Sequence, residues 1–249
     1  MMIRNDETLD DLLVGGLQVI QSRHGYRFSL DAVLLADFAA LKGGERVCDL
    51  GTGSGVISIL LAWRKKTCQI TALEIQESLC NRAMRSVRLN QMEDRIQVLR
   101  GDIRKLDEIL PPAGFDLAVA NPPFWPAGQG RLPVHEEAAV ARHELELTLS
   151  QLLAGAAYIL KPKGRLALVH RAARLDEIVQ LAGEHGLGVQ RLRTVHPYRQ
   201  RSANLVLVEA VKEGRTGIEI LPPLVIYNDD GQYTSELLEI YGVQAKAGY

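Results

Sequence analysis

Apolar residues recur along this chain in two rhythms, one of period two and one near period three and a half, and the switches between them mark out its elements. From Leu12 to Phe28 apolar and polar residues alternate around Gly15-Gly16, which predicts a short hairpin ahead of the main fold. Ser29 stands where a helix cap belongs, with Leu30, Val33, Leu34, Phe38 and Leu41 following at helical spacing and Gly43-Gly44 as the expected stop. The run Arg46 to Leu50 then reads as a short strand, GTGSG as a tight turn, and Val56, Ile59, Leu60 and Trp63 as one face of a helix.

That strand-turn-helix unit repeats. A strand at Gln69 to Ile75 precedes a helix from Ser78 to Asn90, and further strands are expected at Ile96 to Leu99 and Phe115 to Ala120. Leu149, Leu152, Leu153, Ala156 and Leu160 align on a helix that Lys161-Pro162-Lys163-Gly164 should break before a strand at Arg165 to His170. Leu175, Ile178, Val179 and Ala182 mark one more helix. Strands alternating with helices imply a parallel sheet covered on both faces. The runs Val189 to Val195 and Ala203 to Val211 have no helix between them, so they should pair antiparallel at the sheet's edge, unlike a simple dinucleotide-binding domain. The tail offers an apolar run at Leu224 to Tyr227, a turn at Asp230-Gly231 and a Thr234-capped helix over Leu237, Leu238 and Tyr241.

With 249 residues, 47% hydrophobic and 24% charged, the composition is that of a globular protein with one main domain. The opening MMIRNDETLDDLL is acidic and lacks a long apolar run, and no stretch reads as a membrane span, so a cytoplasmic location without membrane partners is expected. Cys48, Cys68 and Cys80 sit in apolar segments without ligand spacing, which predicts buried reduced thiols and no metal. His135 and His143 read as loop or helix residues rather than ligands. A net charge of −1 excludes attraction of the whole protein to nucleic acid but allows a local basic face.

Candidate chemistry gathers at strand ends. In Asp49-Leu50-Gly51-Thr52-Gly53-Ser54-Gly55 the glycines let backbone amides approach a ligand closely, which favours a cofactor site, a dinucleotide one included, over a tight structural turn. Glu74, closing the second strand of the repeat, stands where a carboxylate accepts the hydroxyls of an adenosine ribose. Asp102, after the third, is a candidate partner for an adenine amino group or a cap for the next turn. Asn121-Pro122-Pro123-Phe124 follows the fourth. Two prolines stiffen the exit, the Asn121 side-chain oxygen and Pro122 carbonyl are acceptors suited to the two hydrogens of an NH2 group, and Phe124 can cover a flat ring, with Trp125 and Pro126 extending the apolar wall.

Taken in this order, DLGTGSG, Glu74, Gly101-Asp102 and NPPF resemble the motifs of class I S-adenosylmethionine-dependent methyltransferases over about residues 45 to 211. The resemblance implies a Rossmann-like α/β fold: a mostly parallel seven-stranded sheet with an antiparallel edge hairpin and helices on both faces. It implies S-adenosyl-L-methionine as cofactor, contacted by Asp49, Gly51, Thr52, Gly53, Gly55, Glu74, Ile75, Asp102, Ile103 and Asn121, and a target amino nitrogen held by Asn121, Pro122, Pro123 and Phe124. It divides the chain into an N-terminal hairpin and helix at 1–44, a catalytic core at 45–211 and a C-terminal extension at 212–249 packed on that core. Gly25 to Leu35 and LVIYNDDGQYTSELLEIYG are similar to the bacterial tRNA(Val) adenine-37 N6-methyltransferases, which implies a tRNA partner.

Arg191, Arg193, Arg199 and Arg201 lie with His196 in a stretch without acids, a candidate phosphate-binding face or an ordinary solvated strand; Arg23, His24 and Arg27 have a weaker claim. Guanine-N2 enzymes of rRNA, adenine-N6 enzymes of DNA and glutamine-N5 enzymes of proteins share the NPP-aromatic motif, and a catalytically silent RNA-binding module shares the fold. No inserted duplex-scanning domain, N-terminal helical bundle or duplicated core favours these alternatives.

Overall fold

A computed structural model describes residues 3–24, 27–122, 147–215 and 217–242. The chain opens with an antiparallel hairpin, β1 (Glu7–Asp11) and β2 (Gln18–Ser22), followed by α1 (Leu30–Phe38). Strand β3 (Arg46–Leu50), α2 (Val56–Arg64), β4 (Gln69–Glu74), α3 (Glu77–Leu89), β5 (Ile96–Arg100) and β6 (Phe115–Ala120) come next. Then follow α4 (Leu149–Ile159), β7 (Leu160–Arg171), α5 (Leu175–Glu184), β8 (Leu187–Tyr198) and β9 (Leu205–Lys212). Two short strands, β10 (Glu219–Ile220) and β11 (Leu224–Tyr227), lead to α6 (Ser235–Ile240).

The main sheet runs β10-β8-β9-β7-β6-β3-β4-β5, with β11 also on β8. Strands β3 to β7 are parallel to their neighbours among themselves, while β9 is antiparallel to both β7 and β8. Successive residues face opposite sides, so the strands feed two cores. Val47, Leu117 and Val119 pack toward α1 and α2, whereas Cys48, Ala118 and Ala120 pack toward α4 and α5. All three cysteines are buried free thiols.

The expected elements shift in several places. The first hairpin begins at Glu7 rather than Leu12, because Leu12, Val14 and Leu17 belong to the connection and are buried there, which in sequence looks like strand alternation. Trp63, expected on the buried face of α2, is 40% exposed and lies over Gly15, where an added Cβ would come within 2.4 Å of its Nε1. Helix α1 stops at Phe38, short of Leu41 and Gly43-Gly44, because the backbone turns left-handed at Ala40 (φ 45°), and its last carbonyls are satisfied by cations: Arg191 donates to Phe38 O (2.7 Å) and Arg165 to Ala39 O (3.2 Å). Lys161 to Gly164 does not separate α4 from β7. The strand starts at Leu160 and absorbs the breaker as a register shift against β6, with Lys163 at φ 64°. Beyond β8 the tail adds β10 and β11, and Thr234 caps α6 by accepting from Leu237 N and donating to Val225 O.

The N-terminal hairpin is clamped to α3. Glu7, 1% exposed, pairs with Arg85 (2.7 Å from Nη1) and Arg82 (3.4 Å), while Ser86 accepts from Ile20 N (3.0 Å) and Asn90 from Gln18 N (3.1 Å). The Arg85 hydrogen bond outweighs burial and lowers the Glu7 pKa from 4.5 to about 2. Because the folded carboxyl titrates below the unfolded one, its contribution is complete above pH 4.5 and is lost as pH falls toward about 2. Glu7→Gln should therefore lower Tm at neutral pH, with the deficit shrinking over that acid range. A deficit independent of pH in thermal melts would contradict this clamp.

Candidate active site

Four candidate segments end four adjacent parallel strands: the glycine turn after β3, Glu74 on β4, Gly101-Asp102 after β5 and Asn121 after β6. Register aligns Leu50 with both Leu73 and Ala120, which brings these ends to one edge. The chain winds outward from β3 through β4 to β5, then returns to the other side of β3 as β6. In such a sheet, the crevice for a ligand opens where the order reverses.

The turn is built by polar ties. Asp49, fully buried, accepts hydrogen bonds from Thr52 Oγ1 (2.6 Å) and Ser58 Oγ (2.7 Å) on one carboxylate oxygen. Its other oxygen, Oδ1, has no partner among the described residues, and burial raises its pKa despite the two hydroxyls. Gly51 N and Thr52 N donate to Leu73 O (2.9 Å each), and Gly53 N donates to Glu74 Oε2 (2.9 Å). Gly51 and Gly53 hold φ of 80° and 58°, and an added Cβ at either would meet nothing within 4 Å. The glycines are required for backbone conformation, and the space beside them lets a ligand reach the chain.

A cleft open to solvent lies there, lined by Gln21, Phe28, Ala32, Gly51, Thr52, Gly53, Ser54, Val56, Ile57 and Asn121. It unites the glycine turn with the first residue of NPPF. Glu74 is 5% exposed beneath the turn; its oxygens each take a backbone amide, from Gly53 and Gln76, leaving lone pairs for further donors. Burial is the main cause of its raised pKa. Gly55 caps α2, while Ile75 and Ile103 are half-buried. Asp102 caps the turn after β5 through Arg104 N (2.9 Å) and pairs with the Arg104 side chain (2.6 Å), whose hydrogen bonds lower its pKa. Pro122 is half-buried beside Asn121; Pro123, Phe124, Trp125, Pro126, His135 and His143 lie outside the described residues.

The four arginines of the acid-free stretch have different surroundings. Arg191 donates to Phe38 O and to Glu209 (3.1 Å) and lies 4.4 Å from the Phe38 ring centroid. Arg193 donates to Pro222 O (2.9 Å) and pairs with Glu236. The stretch is thus acid-free in sequence but not in space. Arg199 and Arg201 are exposed in the β8–β9 connection. Of the N-terminal group, Arg27 pairs with Asp10 (2.5 Å) and Arg23 donates to Asn5 O (3.1 Å).

The N-terminal wall of the cleft carries no recognisable motif. Gln21, 1% exposed on β2, accepts from Phe28 N through Oε1 (3.2 Å), which fixes the orientation of its amide. Its Nε2 is buried and has no partner among the described residues. An unsatisfied buried donor is costly, and here it belongs to a residue lining the cleft.

The strand order, with β9 inserted antiparallel between β7 and β8, separates this sheet from the all-parallel dinucleotide-binding arrangement and gives the Rossmann-like fold that methyltransferases adopt. The methyltransferase small domain family model matches residues 30–181, and the chain belongs to that family. It is 31% identical over 223 residues to a Tolumonas auensis protein named tRNA1(Val) (adenine(37)-N6)-methyltransferase, covering 88% of this chain and 90% of the relative. A Bacteroides thetaiotaomicron protein of the same name is 31% identical over 209 residues, covering 84% and 80%. Among solved structures, a predicted O-methyltransferase from Agrobacterium tumefaciens has a TM-score of 0.71 at 24% identity, covering 87% of this chain and 97% of that one.

The cleft and the turn beside it fit S-adenosylmethionine: open glycine backbone and the Gln21 amide line the cleft, and the buried Glu74 carboxylate lies beneath the turn, bonded to Gly53 N. No group of three or more metal-ligating side chains occurs among the described residues. Gln21→Leu should weaken S-adenosylhomocysteine binding about tenfold, the scale of one hydrogen bond to a charged group. Unchanged affinity by calorimetry would remove Gln21 from the site.

Proposed function

We propose that this protein methylates the exocyclic N6 of an adenine in tRNA, with adenine 37 of a tRNA(Val) as the leading target. The carrying observation is that Asn121 and the glycine turn line one cleft. The relatives' names supply the nucleic acid and the position. When bound, S-adenosylmethionine supplies an electrophilic methyl on a sulfonium. Residues 45–211 serve as the catalytic core, with Gln21, Phe28 and Ala32 of the N-terminal part walling one side of the cleft and β10 and β11 of the C-terminal extension adding to the sheet.

The protein's own work is positioning. The Asn121 side-chain oxygen and the Pro122 carbonyl accept the two hydrogens of the target amine, orienting its lone pair, and Phe124 covers the ring. None of the described lining residues is a carboxylate, imidazole or amine. This suits a reaction in which the amine attacks first and its proton then departs to water. An adenine in an unpaired loop costs least to extrude into such a cleft, which favours tRNA over a duplex substrate. No helix among the described residues is long and apolar enough to cross a membrane, and tRNA as partner goes with a cytoplasmic setting.

Incubation with methyl-labelled cofactor and total tRNA, rRNA, DNA or protein, followed by digestion, should yield N6-methyladenosine from the tRNA pool. Label in N2-methylguanosine or in protein glutamine would reassign the substrate. With cofactor at saturation, Asn121→Ala should lose roughly 10²–10³-fold in single-turnover rate, the scale for removing one acceptor aimed at the reacting group. A near wild-type rate would take Asn121 out of its role.

A further inference from the structure

Four tyrosines form a ladder where the tail meets β8. Tyr198 and Tyr227 lie with centroids 5.4 Å apart, Tyr227 and Tyr233 stack at 5.4 Å, and Tyr233 and Tyr241 continue at 6.3 Å. Tyr227 and Tyr241 pack against the core on the α1 and α2 side, whereas Tyr198, the end rung, is 40% exposed. Tyr198 also begins the β8–β9 connection, in which Arg199, Gln200, Arg201 and Ser202 are all exposed. The backbone there is a fixed turn: Arg201 N donates to Tyr198 O (3.0 Å), and Arg201 O meets His196 Nδ1 at 2.8 Å. Asp229 and Asp230 lie in the segment between Tyr227 and Tyr233, so the Tyr198 end is the one flanked in sequence by positive charge.

This patch stands toward the same end of the strands as the cleft. Strand β8 runs in the direction of β6, and the pairings Ala120–Leu168, Leu168–Val208 and Val208–Leu192 place Tyr198 well beyond the row that ends at Asn121. Three strand spacings of about 4.8 Å and five residues of about 3.3 Å separate the two, roughly 20 Å in all. A fixed aromatic face beside two exposed guanidinium groups matches an unstacked base and its neighbouring phosphates. Arg191 and Arg193 offer no such match, being held by Phe38, Glu209, Pro222 and Glu236.

We propose that Tyr198, Arg199 and Arg201 form a second contact for single-stranded RNA, in which a nucleotide a few positions along the strand from the target stacks on Tyr198 while the arginines hold phosphates. The proposal rests on the reading of tRNA as substrate. It predicts two separable effects in filter binding with purified tRNA. Tyr198→Ala and Tyr198→Leu should each weaken binding about tenfold with an unchanged salt slope, while Tyr198→Phe stays near wild type. Replacing Arg199 and Arg201 together by Ala should reduce the magnitude of the log-affinity against log-salt slope by about 1.4, from about 0.7 per phosphate on a single strand. S-adenosylhomocysteine affinity should stay at the wild-type value throughout. Because leucine preserves apolar packing on Tyr227, full tRNA affinity in Tyr198→Leu overturns the stacking role even if the alanine variant is destabilised. An unchanged salt slope in the double variant overturns the phosphate contacts. Wild-type protein that methylates no tRNA defeats the functional reading itself, whereas wild-type methylation with unaltered tRNA affinity in every variant defeats only this surface.

Discussion

A carboxylate shut away from water must find its hydrogen bonds inside the protein, and Asp49 finds two of them in residues later in the chain, Thr52 and Ser58. Those bonds draw the turn back over the end of β3 and set where α2 begins. The turn is tied in a second direction by Leu73 O and by the Glu74 carboxylate, so it bridges two neighbouring strands. The positions of the exposed glycine backbone and of the α2 start follow from these ties. The cost of burying Asp49, seen in its raised pKa, is the cost of holding that loop in one shape.

Topology does the rest. The reversal between β3 and β6 opens a crevice beside the turn, and NPPF begins at its rim. The outer wall comes from the N-terminal hairpin and α1, which are held by independent devices: the Glu7–Arg85 clamp on α3 and the Arg165 and Arg191 contacts that close α1. Gln21 and Phe28 precede the residues matched by the family model, so part of the cleft is assembled from a segment outside that common domain.

The parallel core was legible because strand and helix periods are clean from Arg46 to Ala120 and turn chemistry punctuates them. What sequence concealed were effects of long-range partners. The hairpin's connection carries buried Leu12, Val14 and Leu17, so its apolar pattern imitated a strand. Arg191 and Arg193 looked free because Glu209 and Glu236 reach them from other elements. Gln21 looked like one polar residue of an alternating strand; only the pairing of its oxygen with Phe28 N and the orphan Nε2 distinguish it. Asp102, weighed as a ligand or a cap, is seen capping its turn, while Asn121 was placed by the strand it follows.

The central claim is that the cleft at the strand reversal is a methyl-donor site and not a dinucleotide site. Calorimetric titration of the wild-type protein without RNA, using S-adenosylhomocysteine and NAD in parallel, tests it most directly. One equivalent of S-adenosylhomocysteine should bind, and NAD should give no saturable heat. Saturable NAD binding with no response to S-adenosylhomocysteine would contradict the account.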